Sequence, residues 1–413
     1  MTDRCTRRRF LAAGVSAGIA SIAGCSSLGP RRETERSQPT AATRRAAGSD
    51  DRADVIGRAG DATETADDAT TDPSERGVVD VRGAIYLPAR SFNFYQQWAD
   101  YDEAVVERDL GYATEVNLNA VRTWASFECW QADPEAHREA LDHFLSTAEG
   151  CGLDVLVGLF DFAGQEPTEE RLHDTDPRTA TGVRSPGSAV MRDRSRWGDP
   201  EAYVRWFMDH FRDDDRLLAI EAMNEPGWQS HATEFARTMF EAMADERGSV
   251  PLTVGSTSMA NNAEYLDWGS DALQFHYNFA ETPATYREML RSNRAVADRL
   301  DVPVWLSEWQ RVRSATGFAS EPPDDQKTPD YASLAPLIHE SGFGNFFWSL
   351  MVQPAFVPAQ RQYGILNGLF HEDGAVWSRE DARAIKAMSG ESDLDLEQRQ
   401  EWPEWASAVE GGT

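Results

Sequence analysis

Lysine is nearly absent from this 413-residue chain: Lys327 and Lys386 are the only two, so almost all of its 40 basic residues are arginine. Those 40 stand against 69 acidic residues, for a net charge of −29. A chain so short of positive charge has no face with which to neutralise backbone phosphates, which excludes a general nucleic-acid binder. Cysteine is scarce as well. Of the four, Cys5 and Cys25 fall in an N-terminal targeting segment, which leaves Cys129 and Cys151 for the folded part. If 134–149 is a helix, these two lie near its opposite ends, about 20 Å apart, whereas a disulfide needs Cα atoms about 5–6 Å apart. Both are therefore expected to be free thiols. Metal-ligand spacing is missing too, since His137 and His143 fall on opposite flanks of that helix and the cysteines lack zinc spacing. There is no glycine-rich phosphate loop. No metal and no cofactor are expected.

Also missing is any apolar run long enough to span a bilayer. The uncharged stretch 12–23 is too short, and it follows Thr6-Arg7-Arg8-Arg9-Phe10-Leu11, so it reads as a signal peptide. Arg7-Arg8 before Phe10-Leu11 resembles a twin-arginine export signal, and Ile22-Ala23-Gly24-Cys25 resembles a lipobox. Cleavage before Cys25 would leave a lipid-modified first residue, holding the protein at the outer face of the membrane, its one membrane attachment. The segment 26–77 is rich in Ser, Thr, Ala, Asp and Arg with few large apolar residues, so it cannot offset the entropy of ordering and reads as a disordered tether. Acidic turns such as Asp213-Asp214-Asp215, with arginine in place of lysine, resemble proteins adapted to high salt, where screening weakens self-repulsion.

From Val78 onward, short apolar runs alternate with amphipathic stretches of helical period, as βα units do. Strands are expected at 83–87, 120–123, 155–160, 218–223, 252–256, 272–277, 304–307 and 345–349, and helices at 103–114, 134–149, 201–212, 232–244, 283–299 and 331–339. Eight such strands fit an α/β fold of the (β/α)8 TIM-barrel type over 78–390, followed by a polar C-terminal tail, 391–413, in which Trp402 and Trp405 are placed to pack back. Long loops follow strands three, seven and eight (163–197, 310–330, 351–375), all on the C-terminal face where barrel active sites are built.

Two of these strands end in a glutamate. The run from Leu217 to Met223 leads into Asn224-Glu225-Pro226, and the proline biases Glu225 toward an extended backbone from which it projects. The run from Val302 to Ser307 leads into Glu308-Trp309. Both carboxylates then stand on one rim. Cleaving a glycosidic bond with retention needs such a pair: one carboxyl protonates the leaving oxygen and the other attacks the anomeric carbon. Glu221 shares the parity of Glu225 but lies about 13 Å deeper by strand rise, and is read as a buried, paired group.

With these motifs the chain resembles the clan A glycoside hydrolases, most of all glycoside hydrolase family 5, the cellulase and mannanase family, from Val78 to about Met388. The resemblance implies Glu225 as acid/base and Glu308 as nucleophile, acting on a β-linked polysaccharide or oligosaccharide of glucan or mannan type. It further implies that Arg122, in Asn119-Ala120-Val121-Arg122, supports the nucleophile. Asn224 would bond the sugar 2-hydroxyl. His276 and Tyr277 would stand for the strand-six His/Tyr segment, and Trp348 for the strand-eight tryptophan under the central subsite. Trp124 is a candidate aromatic platform. Three departures stand out: Asp161 in place of a strand-three histidine, Gln310 in place of a glycine after the nucleophile, and His276 adjacent to Tyr277 without the usual one-residue gap. Two other readings stay open, a non-catalytic sugar-binding lipoprotein on the same barrel and a transglycosylase.

The lipobox reading makes one prediction. Replacing Cys25 with serine should move the protein from the membrane pellet to the soluble fraction of fractionated cells; continued pelleting would exclude a lipid at this position.

Overall fold

The computed structural model describes residues 80–412, apart from Trp228, Asp301 and 315–319. The expected signal peptide, Cys25 and the linker 26–77 lie outside the described residues. Each apolar run becomes one strand: β1 (Arg82–Ile85), β2 (Ala120–Trp124), β3 (Asp154–Asp161), β4 (Leu217–Asn224), β5 (Leu252–Gly255), β6 (Leu273–Tyr277), β7 (Val304–Trp309) and β8 (Gly344–Phe347). They pair in parallel in the order β5-β4-β3-β2-β1-β8-β7-β6. At the two ends of that order, His276 N donates to Ser256 O (3.0 Å) and Asp271 N to Leu252 O (2.9 Å), which all but closes the ring. The result is the expected (β/α)8 barrel.

The intervening helices start where the sequence supplies a cap. Asp102, Asp133 and Thr282 each accept from a backbone N–H of the first turn of Glu103–Glu115, Pro134–Gly150 and Pro283–Ala297, and the last two open on proline. Such caps satisfy donors that a helix leaves unpaired, and proline there forfeits no bond. The amphipathic faces of these helices cover the barrel: Leu141, Phe144 and Leu145 join Val155, Val157 and Leu159 in one apolar layer. Among the described residues, no helix is long and apolar enough to cross a membrane.

Inside the barrel lies a second, smaller apolar cluster that includes Ile85, Trp124, Leu156, Trp305 and Phe346. Glycines make room for it: a Cβ at Gly158 would overlap the indole of Trp124, and one at Gly255 would meet the Glu221 carboxylate at 2.6 Å. Above these side chains sits a charged layer. Arg122 binds Glu221 through Nε (3.1 Å) and Nη2 (3.0 and 2.8 Å), and both side chains are 0% exposed. Gln274 Nε2 donates to the same carboxylate at 2.9 Å. Glu221 is thus the buried, paired group its depth implied.

The tail contributes more than its polar composition suggested. Val376 pairs with Gln398, Arg399 pairs with Asp373, and Ala406 and Val409 are buried. Trp402 packs with Val352, Leu366 and Trp377, and Trp405 meets Phe92 edge-on at 6.2 Å. The tryptophans carry it: a few large apolar side chains bury enough area to fix a segment whose remaining residues stay solvated. Cys129 and Cys151 are free, as their separation required.

Removing one member of a buried ion pair leaves the other without compensation, at a cost of about 3–5 kcal/mol. Glu221→Gln should lower unfolding stability by about that amount in urea or guanidinium titrations; a change of only a few tenths would show that Arg122 finds another partner.

Candidate active site

At the C-terminal mouth the strands lose their regular alternation, and this is what assembles the site. Along β4, Ala222 and Met223 are consecutive yet both join the outer apolar layer, and the pairing with β5 shifts register between Glu221 and Asn224. Along β7, Trp305 packs inside the barrel while Leu306 and Trp309, three apart, pack outside it, again with a register shift. Along β3, Leu159 and Phe160 both face outward before Asp161. Irregularities of this kind re-aim side chains and gather next to active sites. They bring Asp161, Asn224 and Glu308 to the mouth.

Glu225 does not take the extended backbone that Pro226 suggested. Its φ is +48°, in the left-handed region, because Pro226 disfavours the right-handed helical region without imposing the β region. Its N–H donates to Gly255 O at 2.8 Å, which ties the strained residue to the end of β5. A non-glycine residue held there costs free energy and persists where its surroundings over-determine it.

The predicted residues fall into two groups. Glu225, Glu308, His276, Arg122 and Asn224 come together. His276 Nδ1 lies 2.7 Å from Glu225 Oε1 and 3.4 Å from Glu308 Oε2. Single ligand atoms of Glu225, His276 and Glu308 all lie within 4.8 Å of one another, the one such group among the described residues and the set that could hold a divalent ion. Arg122 Nη2 donates to Asn224 Oδ1 (2.8 Å), Nη1 donates to Ser307 O (3.1 Å), and Nη1 stands 3.6 Å from Glu308 Oε2. The chief partner of Arg122 is Glu221, so its support of Glu308 is electrostatic at one remove.

Tyr277 and Trp124 are corrected. Tyr277 stacks on Tyr286 at 4.9 Å in the layer beneath the helices, because strand alternation that turns His276 inward turns its neighbour outward. Trp124 is 1% exposed, packed on Phe94 (4.6 Å) with Arg122 over its ring (4.3 Å), so it offers no open face to a sugar. Trp348 lies just past β8, mostly buried, edge-on to Phe356 at 5.2 Å.

Two residues take up positions that the sequence reading did not assign. Asn278 Nδ2 donates to Glu308 Oε1 at 2.6 Å; it follows His276 by two, the spacing the His/Tyr resemblance required, and that parity was the available signal. Asp161 Oδ1 accepts from Asn224 Nδ2 (2.9 Å) and Ala163 N (2.8 Å). Period-two counting places Phe160 inward instead, so only the unusual residue at the strand end marked Asp161.

Electrostatically the mouth is crowded with carboxyls. Burial, then the neighbouring Glu225 and Glu308, push Asp161 up to about 8. Burial also raises Glu225 and Glu308, against the pull of Arg122 on both and of His276 and Asn278 on Glu308. Burial pushes His276 down to about 4, so it is neutral through the middle pH range.

No protein-family model and no curated protein matches the sequence. Among solved structures the chain is similar to an exo-β-1,4-mannosidase from Opitutaceae bacterium strain TAV5, at 16% identity and a TM-score of 0.55 over 76% of this chain and 59% of that one. It is also similar to a GH5_18 protein from Streptomyces cattleya in complex with GlcNAc, at 15% identity, TM-score 0.54, and 77% and 82% of the two chains. A GH5_18 protein from Bifidobacterium longum subsp. infantis is similar at 13% identity, TM-score 0.53, and 77% and 80%. The chain therefore spans 59% of the mannosidase's length. These likenesses establish the barrel fold.

Asp161 also sets a stability test. Its folded pKa lies above its unfolded value of 3.8, so its contribution to stability is full below pH 3.8 and is lost as pH rises toward about 8. Asp161→Asn removes that loss. Its melting temperature relative to wild type should therefore climb as pH rises across this window and level off beyond it; a difference constant with pH would show that Asp161 is not held protonated.

Proposed function

We propose that this chain is a glycoside hydrolase that cleaves β-linked saccharides with retention, as the family 5 resemblance implies, with Glu225 as acid/base and Glu308 as nucleophile. The observation that carries the reading is the close approach of the two carboxyls across one histidine, with ligand atoms within 4.8 Å. Double displacement calls for carboxyl groups about 5–5.5 Å apart, whereas inversion leaves room for a water at about 6.5–9.5 Å. The barrel fold shared with a protein named as an exo-β-1,4-mannosidase supports the same class, and within it a β-mannan substrate before a β-glucan.

The roles follow from what each carboxyl touches. Two carboxylates this close do not both ionise cheaply, so the pair keeps a proton. Glu308 has Asn278 at 2.6 Å and Arg122 at 3.6 Å to stabilise its anion. Burial raises both carboxyls, and Glu225 has only a neutral imidazole as its close partner, so the proton is assigned to it. Arg122 donates to one acceptor of the imidazole pair, with Nη1 3.4 Å from His276 Nε2, which leaves Nδ1 to carry hydrogen toward Glu225. Glu308 attacks the anomeric carbon as Glu225 protonates the departing oxygen; the resulting ester is hydrolysed by a water that Glu225, now ionised, deprotonates. Asn224 meets the sugar as a donor, since its Oδ1 is already held by Arg122. Export by a twin-arginine route and anchoring through a lipid on Cys25 belong to the same proposal and place the chemistry outside the cell.

Glu308→Gln should lower turnover of an activated aryl β-glycoside by about 10³-fold or more while the protein stays folded. Near-normal turnover by that variant would exclude the mechanism, and absence of released sugar from any β-linked polysaccharide with the wild type would favour the sugar-binding lipoprotein. Longer products from concentrated oligosaccharide would favour the transglycosylase.

A further inference from the structure

The mouth of the barrel is filled on one side. Trp348 past β8, Phe94 in the loop after β1 and Trp124 at the tip of β2 all belong to the apolar cluster inside the barrel, and Phe356 from the loop after β8 joins them. Their rings follow one another in an arc: Trp124 to Phe94 at 4.6 Å, Phe94 to Phe356 at 6.4 Å and Phe356 to Trp348 at 5.2 Å between centroids. Because β2, β1 and β8 are neighbours in the sheet, the arc occupies one continuous sector of the ring. None of the four side chains is more than 9% exposed, so no open groove runs along their faces.

Three loops and the tail hold this sector shut by binding one another. A Cβ at Gly182, in the loop after β3, would overlap the ring of Phe356. Asn93 Nδ2 and Gln96 Nε2, after β1, both donate to Leu172 O (3.5 and 3.0 Å), and Gln96 Nε2 also to Asp174 O (2.8 Å). Arg361, 1% exposed, is the clasp. It donates to Ala355 O (2.9 Å) and Phe356 O (3.3 Å) in its own loop, and to Pro177 O (3.1 Å) and Ala180 O in the loop after β3. Its guanidinium lies over Phe92 at 4.8 Å, and Trp405 of the tail meets the same ring. A buried guanidinium shared by two segments fixes both, since moving either leaves a charged donor unpaired. Past β4, β5 and β6 the surroundings are more open: Gly227, Thr257, Ser258, Asn278 and Phe279 are half-buried, and the Glu225 side chain is 27% exposed.

The two glutamates give the substrate its direction. Under the glycosidase reading, on which this inference rests, the leaving oxygen sits at Glu225 and the anomeric carbon at Glu308. The departing part of the saccharide therefore extends past β4. The sugar that carries the anomeric carbon lies on the other side of that carbon, toward β8, which stands opposite β4 in the ring of eight. Beyond it comes the filled sector. We infer that the wall of Trp124, Phe94 and Phe356 ends the site after one sugar, so that the enzyme is exo-acting and removes single units from the non-reducing end of a β-linked chain. A chain bound at an internal bond would have to lay further sugars where these aromatics are packed, whereas a terminal unit has no further sugar to place there.

The 4-nitrophenyl β-glycosides of glucose, mannose, galactose and xylose, assayed in high salt, first identify the sugar that wild type removes. The β-1,4-linked hexasaccharide of that sugar, labelled with 2-aminobenzamide at its reducing end, is then digested and sampled early. Labelled pentasaccharide, with unlabelled monosaccharide, should exceed every shorter labelled product by about tenfold or more. Labelled di-, tri- or tetrasaccharide formed at a comparable initial rate overturns the inference and leaves the glycosidase reading standing. So does a wild type that cleaves none of the four aryl glycosides yet releases oligosaccharides from β-mannan or β-glucan. Phe356→Ala shortens the wall, and a melting curve reports whether it is folded. Labelled tetrasaccharide should rise about tenfold among its first products relative to wild type; a folded variant with unchanged products shows that this wall does not set the limit. A wild type that cleaves no aryl glycoside and releases nothing from either polysaccharide overturns the glycosidase reading itself.

Discussion

The buried pairing of Arg122 with Glu221 is the constraint on which the rest of this structure depends. Both side chains are fully enclosed, and a lone charge so placed is strongly destabilising, so each depends on the other. Once the pair is fixed, the guanidinium has nitrogens left over. These hold the Asn224 amide oxygen, the Ser307 carbonyl and, at longer range, the Glu308 carboxylate. Three strands, β2, β4 and β7, are thereby tied to one planar group, and the site inherits its geometry from a structural ion pair one layer below.

The same group sets the charge balance of the mouth. Glu221, Glu225 and Glu308 crowd around one arginine, Asp161 is linked to it through Asn224, and His276 is neutral because burial holds it near 4. Full ionisation would leave several uncompensated charges in a poorly solvated space, and protonation is the less costly answer. Arg122 satisfies Glu221 directly, which leaves the remaining proton demand to fall on Asp161 and on the Glu225–Glu308 pair. A carboxylic acid available for proton donation is therefore a consequence of counting charges in the barrel interior.

Much of this was legible in the sequence, and the parts that were not share a cause. The eight strands, the helices opening near 103, 134 and 283 and the burial of Glu221 follow from local pattern, because apolar periodicity acts within a few residues. The meeting of His276 with Glu225 and Glu308 followed from strand ends and the family resemblance. Tyr277 was misplaced although alternation alone would have turned it outward and brought Asn278 in. Asp161 and the backbone of Glu225 lay beyond such reasoning. Period two breaks at the ends of β3, β4 and β7, and a left-handed φ at a glutamate before proline is a tertiary outcome, held by the bond from its N–H to Gly255 O. Trp124 was read as an open aromatic platform and is buried, because burial was not readable from a tryptophan at a strand tip.

The chain carries two separate charge problems, and they have different physical solutions. On the surface, a net charge of −29 is spread over exposed carboxylates, many paired with arginine, as in Arg205–Glu246 and Arg237–Glu241. Exposed pairs of this kind contribute little each, and salt relieves the remaining repulsion, with a screening length of about 3 Å near 1 M. Inside the mouth, mobile ions are excluded from the enclosed pair, and the carboxyls are governed by Arg122, His276 and their own protons. The acidic exterior can therefore be tuned to its medium without disturbing the interior, because the barrel wall keeps the two sets of charges apart. That separation explains how a composition so biased toward acid, with 69 acidic residues, leaves two glutamates whose carboxyls are both raised by burial.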